Sequence, residues 1–568
     1  MRLAILALSL VITVTANGQF FEQEPYPQGY FRNPLNIPIS LSGNFGELRP
    51  NHYHMGFDIR TEKRENLPVY AAADGYIAKI KVEPAGFGRA IYINHPNGYT
   101  TVYCHLNDFS PALDQYLKAQ QYKLESWRVF LDVSPALFPV KKGDYLANSG
   151  NTGGSQAPHL HFEIRKTGDD INRNPMLFGL PLPDDTKPTI SRLAWYDRRL
   201  SIYEQAAKLV PIKKTADGYT TVAPVLLVTT PKVSFSISAS DTHSGSVNPN
   251  GIFEADLFDN EKPVVAFQMN NISYNTTRNL NAHIDYRTRA GGGPFLQQLF
   301  ELPGYQNSIY KQVSGDGALD ISDGAVHSIK IAVKDGYGNT SPLLFKVQLK
   351  EPVTPVANNT AKLFYPLMLD GFESDDCEFY LGEKCLYDAV HIAYRKTAAA
   401  APVIVSAVHS IGATYIPLQD SMLVRIKPNN TLIPAKMDKV VMQRFAGTKK
   451  EVQKVAWQQG WAAARFRDFG SFQLVVDEEA PVVVLIGFTD GANLKKATRI
   501  AFTIKDNLEA FKNVRAELDG RWLRFTNDKG RTFIYKFDEK CMAGPHELTI
   551  TASDEAGNVV MKSYKFTR

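Results

Sequence analysis

The sequence is most informative at one octapeptide, Ala157-Pro158-His159-Leu160-His161-Phe162-Glu163-Ile164. Its residues alternate between polar and apolar, and this alternation predicts a β-strand. Residues two apart in a strand share a face, so His159 and His161 project from one side with their backbones about 7 Å apart. Leu160 and Phe162 point the other way, toward a core. The pattern places two imidazoles together, and one could bind a metal while the other acts as a base.

A second cluster lies upstream at His54-Met55-Gly56-Phe57-Asp58. An extended backbone puts His54, Gly56 and Asp58 on one face, and Gly56 would leave room for an ion between the imidazole and the carboxylate. Taken alone, the cluster is better explained as a surface histidine with satisfied hydrogen bonds and a turn aspartate. Whether this cluster belongs to a metal site therefore depends on the other clusters.

A third cluster is Tyr103-Cys104-His105-Leu106, at the end of a predicted hairpin. The two hairpin strands are 90–94 and 99–106, around a turn at Pro96-Asn97-Gly98. We expect His105 to share a strand face with Tyr103. Cys104 would then face away from His105 and be a small buried residue rather than a metal ligand.

Between the third cluster and the octapeptide, the chain carries an apparent insertion and a glycine-rich loop. Ser110-Pro111 is typical of a helix start, and the insertion extends to about Phe138. The loop, residues 149–155, lacks the Gly-Lys-Ser/Thr ending of a phosphate-binding loop. It leads directly to His159.

In chain order the motifs are His-x-Gly-x-Asp, Ala-x-x-Asp-Gly, Tyr-x-His-Leu, Ser-Gly-Asn-Thr-Gly and Pro-His-Leu-His-Phe-Glu. This order resembles the lysostaphin/LytM family of zinc metallopeptidases, which cut peptide bonds in peptidoglycan. The resemblance covers about residues 45–164, apart from the insertion at about 110–138. It departs at Gln156-Ala157, where the family usually has Thr-Gly.

The resemblance implies roles for five residues. His54, Asp58 and His161 match the family's zinc ligands, and His105 and His159 match its catalytic histidines. Two histidines and one aspartate would leave one zinc ion with an open position for water, as in catalytic sites. The expected enzyme is a zinc metalloendopeptidase with peptidoglycan peptides as substrate. The alternative is a non-catalytic envelope protein that binds cell wall or regulates another hydrolase.

The N-terminus predicts export. Met1-Arg2 is followed by an apolar run from Leu3 to Val14, and small residues stand at Ala16 and Gly18. This is typical of a secretory signal peptide, residues 1–18, so the protein is expected in the periplasm or cell envelope, or secreted. No later segment is long and apolar enough for a membrane span. A net charge of +5 over 568 residues gives no reason to expect a nucleic-acid partner.

The chain is too long for one core, and its composition predicts a mainly β, multidomain protein. We expect a peptidase domain at 19–183, a β-sandwich at 184–350, a β-rich module at 351–476 and another sandwich at 477–568. The outer two share a lead-in, 184–188 and 477–481, and an ending with Asp-x-x-Gly-Asn. Such endings resemble bacterial immunoglobulin-like domains.

Residues 184–568 are expected to be non-catalytic and to position the peptidase, by binding cell wall or an envelope protein partner. Their histidines have no carboxylate at ligand spacing and are interpreted as structural. The alternative is a rigid spacer, or a lid that packs over the zinc groove and restrains activity. The irregular segment 275–310 is the candidate binding loop. Cys377 and Cys385 are close enough in sequence to predict a disulfide in an oxidising compartment.

Overall fold

The computed structural model describes residues 20–22, 24–305, 309–354, 360–399 and 403–568. The predicted signal peptide, residues 1–18, lies outside these ranges. Of the chain, 45% is strand and 7% is helix, which confirms the mainly β class. Within the described residues no helix combines the length and hydropathy that crossing a bilayer requires.

The N-terminal region is built on one nine-stranded sheet, with two small two-stranded sheets beside it. Its strands are Leu41–Gly43, Leu48–Arg49, His52–Tyr53, Phe57–Arg60, Pro68–Tyr70, Gly75–Val82, Arg89–Asn94, Tyr99–Cys104, Val129–Asp132, Pro139–Val140, Tyr145–Asn148, His159–Lys166 and Asn172–Arg173. The strand His159–Lys166 is central, between Phe57–Arg60 on one side and Tyr99–Cys104 on the other. Leu160 and Phe162 are fully buried, as their alternation predicts.

The predicted hairpin and helix are both present. Strands Arg89–Asn94 and Tyr99–Cys104 pair antiparallel across the turn. The helix Pro111–Leu124 follows Ser110, with proline at its first position. Its apolar face buries Leu113 and Leu117. A short 3₁₀ helix, Pro175–Phe178, closes the region.

The rest of the chain forms further sheets in three successive ranges. The first contains Thr189–Asp197, Lys208–Val210, Ile212–Lys214, Tyr219–Thr221, Leu226–Val228, Lys232–Ser240, Glu254–Asp259, Lys262–Gln268, Gln297–Gln298, Tyr310–Gln312, Leu319–Asp320, His327–Lys334 and Thr340–Leu349. The second contains Lys362–Phe364, Asp370–Glu373, Cys377–Leu381, Val390–Ile392, Tyr394–Thr397, Val408–Ile411, Pro417–Ile426, Val440–Ala446, Lys449–Lys454, Ala456–Gln458, Trp461–Asp468 and Gly470–Val476. The third contains Val482–Ile486, Ala492–Asn493, Arg499–Lys505, Phe511–Leu518, Arg521–Trp522, Phe533–Lys536, Pro545–Asp554 and Val559–Thr567.

Helical structure is scarce in these ranges. The short helices are Ile202–Glu204, Thr277–Asn279, Leu280–His283, Tyr286–Ala290 and Pro434–Met437. Three of the five fall in the segment that the sequence marks as irregular, which packs against the N-terminal region: Tyr53 N donates to Thr277 Oγ1 at 2.9 Å. That this segment binds a ligand stays a prediction.

Each sheet lies within one of the four predicted domain ranges, but one hydrophobic core cluster extends across several of them. Phe45, Tyr53 and Met55 from the N-terminal region are buried in the same apolar cluster as the ranges 190–347 and 364–474. Burying such side chains contributes roughly 1.5–3 kcal/mol each. The N-terminal region is therefore joined to its neighbours by packing, while the exact domain bounds stay a prediction.

The expected disulfide is absent: Cys377 and Cys385, both described, are free and buried thiols. The reason is the strand Cys377–Leu381 between them, which carries the chain about 13 Å forward. A disulfide needs its Cα atoms roughly 4.4–6.8 Å apart. The thiol of Cys385 instead accepts a hydrogen bond from Gly382 N at 3.2 Å. Cys104 and Cys541 are free and buried as well.

Candidate metal centre

The site forms where the strands Phe57–Arg60 and His159–Lys166 pair antiparallel. His161 lies directly opposite Asp58 in this register, and directly opposite residues have their Cβ atoms about 5 Å apart. Strand pairing thus brings together two side chains 103 residues apart in sequence. His54 comes from the loop just before Phe57 and closes the group.

Three donor atoms converge in this group. Asp58 Oδ1 lies 2.9 Å from His54 Nε2 and 2.9 Å from His161 Nδ1, and the two nitrogens are 3.0 Å apart. All three residues are buried. A tetrahedral zinc ion with bonds of about 2.0–2.1 Å holds its ligands roughly 3.3 Å apart. Two imidazole nitrogens and one carboxylate oxygen at these separations fit zinc, with one position left for water.

Hydrogen bonds outside the group fix which ring nitrogen faces it. His54 donates from Nδ1 to the carbonyl oxygen of Asn44 at 2.7 Å, which leaves Nε2 as the ligand atom. His161 Nε2 lies 2.9 Å from Glu163 Oε1, which leaves Nδ1. Partners of this kind set the tautomer and ring orientation of metal-binding histidines.

Glu163 is itself held on two further sides. Arg165 donates to its Oε2 at 2.7 Å, and the hydroxyl of Tyr274 donates to its Oε1. Glu163 is fully buried, and Arg165 lies over the Tyr274 ring at 5.0 Å. The first β region of residues 184–568, which we call the tail, therefore contributes a side chain that supports the site.

Gly56 does not leave room for an ion, as the sequence suggests, but for a strand. A Cβ atom there would lie 2.4 Å from the carbonyl oxygen of Phe162 and 3.1 Å from His161 Nε2. Both distances are below ordinary contact. The glycine is required because the strand carrying His161 passes directly over it.

His159 and His105 lie beside the donor group. His159 Nε2 is 3.2 Å from Asp58 Oδ1, and the rings of His105 and His159 have centroids 4.8 Å apart. His105 is 5.9 Å from the His161 ring by the same measure. The structure therefore brings all five sequence-predicted residues into one site.

The backbone conformation at His105 differs from the expected strand. The strand ends at Cys104, and His105 has φ 60°, in the left-handed region that non-glycine residues rarely adopt. The turn moves its imidazole away from the face of Tyr103, which packs on Phe162 in the core. The predicted shared face of His105 and Tyr103 is wrong. So is the predicted orientation of Cys104, which lies opposite His161 on the site face.

Burial and neighbouring charges shift the pKa values of Asp58, His161 and His105 in different directions. Burial raises the pKa of Asp58, but the neighbouring histidines, His54 above all, hold it well below the usual range. Burial lowers the pKa of His161, whereas Asp58 and Glu163 raise it more strongly, to about 9. Burial, aided by His159 and His161, lowers the pKa of His105 to about 3. His105 is therefore neutral at physiological pH.

The glycine-rich loop, residues 149–155, links both candidate catalytic histidines to the last β region. His105 Nδ1 donates to the carbonyl oxygen of Thr152 at 2.9 Å, and His159 Nδ1 lies 3.1 Å from Ser155 Oγ. From the last region, Lys529 donates to the carbonyl oxygen of Ser155 at 2.6 Å. Gly153 N donates to the carbonyl oxygen of Asp528 at 2.8 Å.

Sequence reasoning missed the residues that support the site. Glu163 and Arg165 continue the i, i+2 series of His159 and His161, so their shared face could have been predicted. No sequence signal connects Tyr274 or Lys529 to the site, because their positions depend on how distant regions pack.

The tail also departs from what its sequence predicts. Four of its histidines contact a carboxylate, although none has one at ligand spacing. The contacts are His243 with Asp184, His327 with Asp259, His391 with Glu204 and His546 with Asp519, at 2.7–3.2 Å. Two groups of potential metal ligands occur there as well, Asp184–Asp241–His243 and Asp477–Asp506–Asp554. Tertiary packing therefore supplies carboxylate partners that the sequence spacing of these histidines does not predict.

Two parts of the chain match known families. Residues 52–122 and 136–173 match peptidase family M23, and residues 364–477 match the Zu5-like domain. The gap in the first match falls inside the predicted insertion. The Zu5-like match coincides with the predicted β-rich module at 351–476.

Individual relatives align with the N-terminal region. An uncharacterized metalloprotease of Haemophilus influenzae is 33% identical over 177 residues, 29% of this chain and 31% of that protein. The DD-carboxypeptidase/endopeptidase Mpg of Neisseria meningitidis serogroup B is 33% identical over 164 residues, 28% and 31% of the two chains. The catalytic domain of lysostaphin from Staphylococcus simulans is 24% identical, with a TM-score of 0.18, over 23% of this chain and 86% of that one.

The sheet and its histidine–aspartate group are those of a lysostaphin-like domain. Residues 52–122 and 136–173 form a peptidase family M23 domain. The chain spans about a third of the length of the curated relatives it matches.

Proposed function

We propose that the chain is an exported zinc endopeptidase that hydrolyses peptide bonds in the stem peptides or cross-links of peptidoglycan. One zinc ion would be held by His54 Nε2, Asp58 Oδ1 and His161 Nδ1. The observation that carries the proposal is the convergence of these three atoms next to two histidines outside the ligand set. The relatives named DD-endopeptidase support peptidoglycan as the substrate.

A bound zinc ion would supply a Lewis acid that polarises a carbonyl and lowers the pKa of water to about 7. The proton transfers would be carried out by His159 and His105, the two histidines outside the ligand set. His159 donates from Nδ1 to the carbonyl oxygen of Ala157 at 2.8 Å, and His105 donates in the same way to Thr152. Because a carbonyl oxygen only accepts, each ring keeps its lone pair on Nε2. The pair can therefore take a proton from water and return one to the leaving amine.

The regions after residue 183 would serve the site as well as the cell wall. Tyr274 supports Glu163 behind His161, and Lys529 holds the loop behind His159. Removing these regions would also expose Phe45, Tyr53 and Met55. We therefore extend the positioning role expected of the tail: it orients catalytic groups in addition to binding wall or an envelope partner.

Hydrolysis of purified soluble muropeptides tests the function directly. The zinc-loaded full chain should release peptide fragments, lose this activity on chelation and regain it when zinc alone is added back. A chain that binds peptidoglycan but cleaves neither muropeptides nor sacculi would support the non-catalytic alternative.

Export has its own test. The chain should be recovered outside the cytoplasm with Gln19 as its first residue, as intact-mass measurement would show. Recovery with Met1 still present would contradict cleavage after Gly18.

A further inference from the structure

Acidic side chains gather at one end of the first β region of the tail. Asp184 lies in the lead-in to this region, Asp241 follows the strand Lys232–Ser240, and Asp335 follows the strand His327–Lys334. Potential ligand atoms of Asp184, Asp241 and His243 all lie within 4.8 Å of one another. His243 Nδ1 is 3.2 Å from Asp184 Oδ2.

Hydrogen bonding within turns explains part of this cluster. Asp335 accepts from the backbone nitrogens of Tyr337 and Asn339, each at 2.9 Å. Asp184 accepts from Thr186 N at 2.9 Å and Ser244 N at 3.2 Å. These are ordinary side-chain to backbone bonds of aspartates in turns.

Hydrogen bonds within a turn do not explain the burial of the Asp241 carboxylate. Asp241 is 2% exposed, and neither of its carboxylate oxygens has a partner in good hydrogen-bond geometry among the described residues, although Asp184 and the backbone of Thr242 lie close by. Burial and the nearby charges of Asp184 and Asp335 raise its pKa to about 7. A buried carboxylate without a donor is costly unless a proton or a cation compensates it.

The same arrangement recurs in the last β region. Ligand atoms of Asp477, Asp506 and Asp554 lie within 4.8 Å of one another. Asp506 is half-buried; its Oδ1 has no partner among the described residues, while its Oδ2 accepts from Leu508 N and Ala510 N. These aspartates occupy the same places in the repeat: lead-in, strand end and Asp-x-x-Gly-Asn hairpin.

An asparagine of the hairpin fastens the lead-in in both regions. Asn339 donates to the carbonyl oxygen of Asp184 at 3.2 Å, and Asn558 donates to that of Asp477 at 2.9 Å. The chain thus places aspartates at equivalent positions twice, each time where a predicted domain begins.

We propose that Asp184, Asp241 and Asp335 bind one calcium ion, and that Asp477, Asp506 and Asp554 bind a second. Several carboxylate oxygens in a flexible arrangement suit calcium, whereas magnesium demands a stricter octahedron. His243 would orient Asp184 by donating to it. Each ion would bind both the lead-in segment and the strand ends of its own β region. It would thereby fix the orientation of that region relative to the preceding one.

Equilibrium dialysis of the zinc-loaded full chain against radioactive calcium chloride tests the proposal. Wild type should bind about two calcium ions, and Asp241→Asn and Asp506→Asn should each bind one fewer. Asp256→Asn is a matched control, because Asp256 is equally buried but pairs with Lys334 outside the cluster. It should keep both ions.

A wild-type chain that binds no calcium would overturn the proposal, and so would an Asp241→Asn chain with an unchanged count. Should Asp241→Asn fail to fold, the wild-type melting temperature decides. Calcium chloride must raise it, because an ion that binds only the folded state stabilises that state. No rise would overturn the proposal.

Discussion

Arg89 of the peptidase sheet and Asp528 of the last β region form a two-point ion pair. Nε lies 2.8 Å from Oδ1 and Nη2 lies 2.9 Å from Oδ2. The pair is partly buried and stands next to Lys529, which holds the loop behind His159. The last β region is thereby attached to the loop that orients His105 and His159.

Loosening this contact should therefore reduce catalysis. We expect Asp528→Ala to lower kcat on soluble muropeptides about tenfold with zinc content unchanged, because small displacements of catalytic groups are costly. Asp490→Ala, in the same region but away from the contact, should behave as wild type. Higher activity in Asp528→Ala would show instead that the last region acts as a lid.

Replacing a ligand should remove the metal. His161→Ala is expected to lose the single zinc ion, since two of the three protein ligands do not hold zinc tightly. Metal analysis of the purified protein measures this directly. His52→Ala is the control, because His52 is exposed and lies outside the donor group. Full zinc content in His161→Ala would contradict the ligand assignment.

Replacing a free histidine should remove activity and keep the metal. His159→Ala and His105→Ala should each retain zinc and lose about a hundredfold or more in turnover, the scale of positioned acid–base groups. Near-normal turnover of muropeptides by either variant would refute its catalytic role.

Glu163 should increase zinc affinity although it is not itself a zinc ligand. Glu163→Gln is expected to weaken zinc affinity by about 10- to 100-fold, the usual effect of losing a partner that orients a ligand. Competition with a fluorescent chelator measures the change. Tyr274→Phe removes only one hydrogen bond to Glu163 and should show a smaller effect in the same direction. Equal affinity in Glu163→Gln and wild type would rule out this role.

Acid should destabilise the fold through His283. This residue is fully buried, and burial lowers its pKa to about 3 from an ordinary 6.5. Between these values the unfolded chain binds a proton that the folded chain does not, so stability falls as pH falls. The loss from pH 7 to pH 5 is about 2 kcal/mol. His283→Gln should show a flatter pH dependence of the urea midpoint, and an unchanged slope would contradict the assignment.

The sequence by itself determined the strand at His159 and the shared face of His159 and His161. It did so because alternation with a period of two is a local property of an extended backbone. The hairpin after Arg89 and the helix at Pro111 follow from equally local signals. The order of the five site residues also sufficed to indicate the family and its ligand set.

Only the tertiary structure decided how the site is completed. The left-handed backbone turns His105 into the site, and a crossing strand explains Gly56. Tyr274 and Lys529 reach the site from regions more than a hundred residues away in sequence. Such contacts depend on the packing of whole sheets, which no local pattern encodes. The free thiols of Cys377 and Cys385 have the same origin, since the length of an intervening strand separates residues that are close in sequence.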